Sequence, residues 1–239
     1  KKVLNESLLF LKNLKSVELK RNGVSKLVVN INRKVESNRE LVTISFLPTK
    51  KKEKWLILSS EVEKSTINLI YEELPLLKSA DRSPKIQIAV KSDKSPLKNG
   101  LLYAYLPTQQ DCQLPLHIQA DFYPEFSRKS IAFSGLGKEH IWNRILMNTA
   151  SELISDELQT LTNYIDHKQL FSIIVASYMA HKNFPDKDSP YSYYWDSILD
   201  KSNNKTKLFF SSNGQYESAT AILYDEGLCA RKHVNQSSI

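Results

Sequence analysis

The chain has 239 residues, 41% of them hydrophobic and 25% charged, a balance that fits a folded, water-soluble protein with a substantial core. No apolar run approaches the roughly 18–20 residues a membrane-spanning helix needs, and Lys1-Lys2-Val3-Leu4-Asn5-Glu6 opens no signal peptide, so a cytoplasmic protein is expected. The net charge of +7 sits in residues 1–120, with 21 Lys and Arg against 12 Asp and Glu (+9); residues 121–239 stand at −2.

The chain lacks a starting methionine and is read as a piece of a longer protein. Cys112 and Cys229 are far apart and form no CxxC pair, which points to reduced thiols rather than to a zinc site or disulfide framework. Residues 4–13 suit a short helix with Leu4, Leu8, Leu9 and Leu11 on one face. Val17 and Leu19 then alternate with polar residues, Asn22-Gly23 signals a type I′ turn, and Leu27, Val29 and Ile31 alternate on the return. Val42, Ile44 and Phe46 continue the pattern, and the lysine-rich Lys50-Lys51-Lys52-Glu53-Lys54 reads as a solvated hairpin tip leading back through Trp55 to Leu58. Four strands in a meander follow, with one face buried. Residues 60–84 fit neither period, because Pro75 interrupts any long helix, and they form a mixed connection.

Strands are expected at 85–91, 100–107 and 115–122, in the same sheet. From Lys138 the period changes: Ile141, Trp142, Ile145, Leu146, Met147, Ala150, Leu153, Ile154, Leu158 and Leu161 recur at three- and four-residue spacing, so a long helix packs on the sheet. A second helix spans Lys168–Lys182, with Leu170, Phe171, Ile174, Val175 and Tyr178 on its apolar side. Tyr191, Tyr193, Tyr194 and Trp195 cluster at the start of a short helix, where they lock the structure together. A strand at Lys207–Phe210, a turn at Asn213-Gly214 and a frayed tail at 235–239 complete the chain. The architecture is α+β, a mixed and mainly antiparallel sheet packed against amphipathic helices with a small helical C-terminal part.

Catalytic signatures of the common kinds are missing. His117, His140, His167, His181 and His233 lack the spacing of a zinc helix, and His117 alternates with apolar neighbours as a structural imidazole does. No nucleophile elbow occurs. Gly135 and Gly137 precede the long helix without the lysine and hydroxyl of a phosphate-binding P-loop, so turn geometry explains them. What remains is the stretch after the third of these strands, the short loop Tyr123 to Phe126 followed by Ser127-Arg128-Lys129-Ser130-Ile131. A strand that ends in a polar turn carrying Arg128 can aim one guanidinium at a phosphate, whereas pairing with Glu125 would be an ordinary surface contact.

The segments LLYAYLPT, LPLHIQADF, SRKSI and WNRILMNTASELI resemble the region that follows the ATP-binding domain in sacsin-like proteins, and more remotely the middle domain of the ninety-kilodalton heat-shock chaperones, within the GHKL group of ATPases. The resemblance covers about a third of the chain. It implies that residues 1–13 are a connector from an N-terminal ATPase domain, 14–165 a transducer-like α+β domain, and 166–239 a helical subdomain with a terminal strand pair. It implies further that Arg128 reaches the γ-phosphate of ATP bound with Mg by that other domain, with Lys129 second for the same task. Where the chaperone pattern places a glutamine four residues after the arginine, this chain has Ala132.

The GHKL motifs for adenine and magnesium do not occur in the chain, so it is not expected to hydrolyse ATP alone. Its expected partner is the ATPase domain of the same protein, and a homodimer is compatible with the resemblance. Two alternatives stand beside this one. The basic first half could bind nucleic acid, although Lys50–Lys54 has no interleaved aromatic residue for stacking on bases. Or the chain is an interaction scaffold without chemistry.

Overall fold

Alternation of apolar and polar residues over the first sixty positions produces a meander. In the computed structural model, which describes residues 6–217 apart from 94, 96, 136, 187–188, 202–206, 208 and 212–213, strands β1 (Ser16–Arg21), β2 (Val24–Glu36), β3 (Arg39–Leu47) and β4 (Lys51–Glu61) run antiparallel in sequence order. Asn22 and Gly23 take the positive φ values of 53° and 76° that a type I′ turn requires. The lysine-rich stretch is not a hairpin tip throughout: residues 48–50 make the turn, while Lys51 to Lys54 already belong to β4.

Residues 64–79 form two short helices, α1 (Lys64–Glu73) and α2 (Pro75–Ser79). Pro75 does interrupt a longer helix, but as the first residue of the second one, where its missing N–H costs nothing. β5 (Lys85–Lys91) then pairs with β4. The expected strand at 100–107 divides into β6 (Leu101–Ala104) and β7 (Leu106–Asp111), because Tyr105 between them adopts φ 65° and reverses the chain. β8 (His117–Ala120) enters between β5 and β6, antiparallel to the first and parallel to the second. The eight-stranded order is β1-β2-β3-β4-β5-β8-β6-β7, an α+β sheet that is antiparallel except at one pair.

Residues 55–58 of β4, 86–90 of β5 and most of β8 are buried at consecutive positions, because both faces of the sheet are covered there. On one face Leu56, Leu58, Ile86, Ile88, Ile118 and Ala120 meet α3 (Lys138–Leu161), which presents Trp142, Leu146, Met147, Ala150, Ile154 and Leu158. α4 (His167–Asn183), opened by a capping box between Asp166 and Gln169, and α5 (Tyr193–Lys201) extend this same core. The expected boundary near residue 165 thus falls between two helices that share one apolar cluster. α4 buries Leu170, Ile173, Ile174 and Ala180, and leaves Phe171, Val175 and Tyr178 of the expected apolar side part-exposed. Tyr191 and Tyr194 are buried, and the Tyr194 hydroxyl donates to the Cys112 carbonyl at 3.0 Å, which fastens α5 to the sheet.

The other face is covered by the N-terminal segment. Its helix ends at Ser7, and Leu8, Leu9 and Phe10 pack on Ile44, Trp55, Ile57 and Tyr103. Arg33 of β2 holds this segment in place: its guanidinium donates to the carbonyls of Leu8, Leu9 and Leu11 at 3.0, 2.8 and 3.3 Å and pairs with Glu40 at 3.2 Å. His117 is a structural imidazole here, fully buried and stacked on Trp55, with its Nδ1 accepting from the Leu101 amide at 3.0 Å. A two-stranded sheet, β9 (Phe209–Phe210) with β10 (Tyr216–Glu217), lies by α4, where Phe210 stacks on His167. Cys229, His233 and the expected tail lie outside the described residues, as does Asn213 of the expected turn.

Candidate functional site

The loop that carries Arg128 leaves β8 through Asp121, Phe122 and Tyr123 and returns at Ile131. Its two ends are joined by a bridge between Pro124 and Ile131, and the Glu125 amide donates to the Ser130 carbonyl at 2.9 Å. α3 fixes the base from below. Asn143, fully buried, accepts from the Tyr123 amide at 2.8 Å and donates through its Nδ2 to the carbonyls of Tyr123 and Ala132 at 2.9 and 2.8 Å. Trp142 Nε1 donates to the Asp121 carbonyl at 3.0 Å, and Arg144 Nε to the Phe133 carbonyl at 3.0 Å.

β7 fixes the loop from the side. The Gln109 amide donates to the Lys129 carbonyl at 2.8 Å, and Gln110 accepts from the Ile131 amide while its Nε2 donates to the Tyr191 hydroxyl at 2.7 Å. Burial pushes that hydroxyl up to about 12, against the opposing effect of its Gln110 partner, so it stays a neutral hydrogen-bonding group. Apart from the bond to the Lys129 carbonyl these anchors lie at the base, and the side chains of the tip are left in water.

At the tip, Phe126, Ser127, Arg128 and Lys129 are all exposed, with Phe126 wholly so. The Arg128 amide closes a turn onto the Glu125 carbonyl at 2.8 Å, and Arg128 sits at φ 55°, a left-handed conformation uncommon for a residue with a side chain. The Glu125 carboxylate is engaged by the Ser130 hydroxyl at 2.5 Å rather than by the guanidinium. Among the described residues, no carboxylate lies within ion-pair distance of Arg128 or Lys129. A cation on a braced loop, held away from its own acidic neighbour, can meet an anion presented by another domain with little ordering cost.

The structure places the consecutive residues Arg128 and Lys129 at one exposed tip. The anchors Asn143 and Gln110 escaped the sequence reading, since nothing local marks an asparagine on a helix or a glutamine on a strand as a loop clamp; Tyr191 is read there as part of a locking aromatic cluster, without its bond to Gln110. Gly135 has φ 123°, and a Cβ there would meet the His140 ring at 2.4 Å, which bears out turn geometry as its role. Among the described residues no group of three or more His, Cys, Asp and Glu could hold a metal ion, and no helix is long and apolar enough to cross a membrane. A recess of about 770 Å³ lies elsewhere, against α1, α3 and α5, and its carboxylates Glu63, Glu152, Asp156 and Asp196 disfavour an anionic ligand. Comparison with protein-family models, with curated proteins and with solved structures finds no match.

Proposed function

We propose that this chain is the transducer segment of a GHKL-type, sacsin-like or chaperone-like ATPase, cytoplasmic, and that Arg128 completes a nucleotide site in a neighbouring domain. The observation that carries the reading is the tip of the 123–131 loop, where an exposed guanidinium with no ion pair among the described residues stands on an anchored base. The neighbouring domain binds ATP and Mg; Arg128 approaches the γ-phosphate and Lys129 lies beside it. A guanidinium at that position stabilises charge that develops as the phosphoryl group leaves, so it acts on rate as well as on binding. Its anchors reach α3 directly, and through them nucleotide state could be relayed into the core.

ATP turnover by the parent protein, native against Arg128→Ala, tests this. Turnover is expected to fall at least about tenfold while nucleotide binding is largely kept. Unchanged turnover in a folded variant overturns the role of Arg128.

A second reading is favoured by one surface. Asn30, Ser45 and Lys52 form one cross-strand row on β2, β3 and β4, and Asn32, Thr43 and Lys54 form the next, on a part of the sheet that these helices leave open. Rows of amide, hydroxyl and ammonium groups about 7 Å apart suit a nucleic-acid backbone. Binding of duplex DNA that weakens steeply with salt, and weakens again in Lys52→Gln/Lys54→Gln, would support that reading.

A further inference from the structure

The sheet face beneath the N-terminal segment holds two adjoining recesses that share Lys12, Lys85 and Gln87. The smaller, about 200 Å³, is lined also by Tyr105, Gln119 and Asp121, and the larger, about 590 Å³, by Arg33, Glu40, Ser59, Ser60 and Glu61. Of these carboxylates Asp121 is neutralised by Arg82 and Glu40 by Arg33, which leaves Glu61 as the one acidic group set against Lys12 and Lys85 in this lining. Each lysine has a structural reason to be there. Arg33 grips the carbonyls of Leu8, Leu9 and Leu11 and so fixes the chain at Lys12, while Lys85 opens β5 after Ser83, whose amide is held by Asp121 at 3.0 Å.

Two ammonium groups at one recess repel, and the usual relief would be a carboxylate between them. Glu61 lies opposite Lys85 in the β4–β5 register, and Glu40 is engaged by Arg33, yet among the described residues neither Lys12 nor Lys85 has a carboxylate within ion-pair distance. The Lys12 ammonium is held below its ordinary value, first by its partial withdrawal from water and then by the charge of Lys85. Gln119 adds a second sign of an incomplete site: its Oε1, an acceptor that a ligand hydroxyl rather than a phosphate oxygen would satisfy, is buried without a hydrogen-bond partner among the described residues, and its Nε2 has only a long contact, 3.4 Å, to the Ala120 carbonyl.

We propose that the Lys12–Lys85 recess binds a phosphate-class dianion, the phosphate of a small phosphorylated compound whose polar body occupies the larger recess among Ser59, Ser60 and Gln87. Two positive charges match the two negative charges of a phosphate monoester, and the Lys12 and Lys85 ammoniums donate charge-assisted hydrogen bonds to its oxygens. The hydroxyl and amide groups of the larger recess suit hydroxyls on that body rather than an apolar one. This site is separate from Arg128 and belongs to the chain itself, with no nucleotide domain needed.

Titration calorimetry of the 239-residue chain with inorganic phosphate and with ribose 5-phosphate, at constant ionic strength in chloride, tests the proposal. Saturable binding is expected, tighter for ribose 5-phosphate, and weakened about tenfold or more by Lys85→Gln and by Lys12→Gln, with Arg128→Ala binding as the native chain does. Circular dichroism and melting temperature confirm that the variants fold, and shifts of the Lys85 and Gln87 amide resonances on titration locate the ligand. The proposal is overturned if neither compound binds saturably, if acetate binds as well as phosphate, or if the folded Lys12→Gln/Lys85→Gln chain keeps native affinity.

Discussion

Asn143 on α3 and Tyr123 at the end of β8 hold each other reciprocally: the Tyr123 amide donates to Asn143 Oδ1 at 2.8 Å, and Asn143 Nδ2 donates back to the Tyr123 carbonyl at 2.9 Å. The same Nδ2 reaches the Ala132 carbonyl, so one buried amide ties both ends of the Arg128 loop to the helix. Asn143→Ala would strand several buried backbone groups, each costing roughly 1–3 kcal/mol when unsatisfied. Chemical denaturation is expected to show a loss of about 2–4 kcal/mol, and hydrogen exchange a loosening of residues 123–132 ahead of the rest of the sheet. A loss below about 0.5 kcal/mol would mean that the loop holds its shape by other means.

Arg128 itself contributes little to the fold on this geometry. It is exposed, and its left-handed φ of 55° costs on the order of 1 kcal/mol in a residue with a Cβ. Arg128→Gly should therefore leave stability within about 1 kcal/mol of native, with relief of strain offsetting the freer unfolded chain. Denaturant midpoints for Gly and Ala at this position check it. A large destabilisation would make Arg128 structural and remove the basis for reading the turnover of its variants as chemistry.

How much of this was legible beforehand depended on the range of the signal. Asn22-Gly23, the alternation at Val29–Ile31 and Val42–Phe46, and the three- and four-residue period from Ile141 to Leu161 are local patterns, and each produced the element it suggests. Residues 64–79 were illegible because two short helices meeting at Pro75 look like one interrupted one. Tyr105 broke an apparently continuous strand, since only its backbone angle distinguishes it from its neighbours. The loop could be found from Arg128, but its clamps Asn143 and Gln110 and the Lys12–Lys85 meeting are contacts between distant stretches. They depend on register and packing, which no single segment specifies.

The N-terminal segment should be the part most dependent on one side chain. Arg33 and Glu40 are both largely shielded from solvent, at 12% and 13% side-chain exposure, and Arg33 also accounts for three carbonyl contacts to residues 8–11. Removing one partner of such a shielded pair leaves the other uncompensated, at about 3–5 kcal/mol for fully buried cases and correspondingly less here. Arg33→Ala is expected to lose roughly 2–4 kcal/mol and to speed limited proteolysis within residues 6–14. Native cleavage rates in that variant would show that Leu8, Leu9 and Phe10 hold the segment by apolar packing alone.

Alkaline pH should destabilise the region where α5 meets β7. Burial pushes the Cys112 thiol up to about 12, from an ordinary value of 9, and the Tyr191 hydroxyl up to about 12 from 10. Both groups bind their proton more tightly when folded, so their contribution is intact below the unfolded values and shrinks as pH rises from about 9 toward 12. Each loses about 1.4 kcal/mol per pH unit within its window. Denaturant titrations at pH 8, 9.5 and 10.5 should show the decline, lessened in Tyr191→Phe. In a Cys229→Ser background, Cys112 should also resist a thiol reagent at pH 8 until the chain unfolds, because a buried thiol so far from ionisation supplies almost no thiolate. Rapid labelling of the folded chain would show that the α5–β7 contact opens readily.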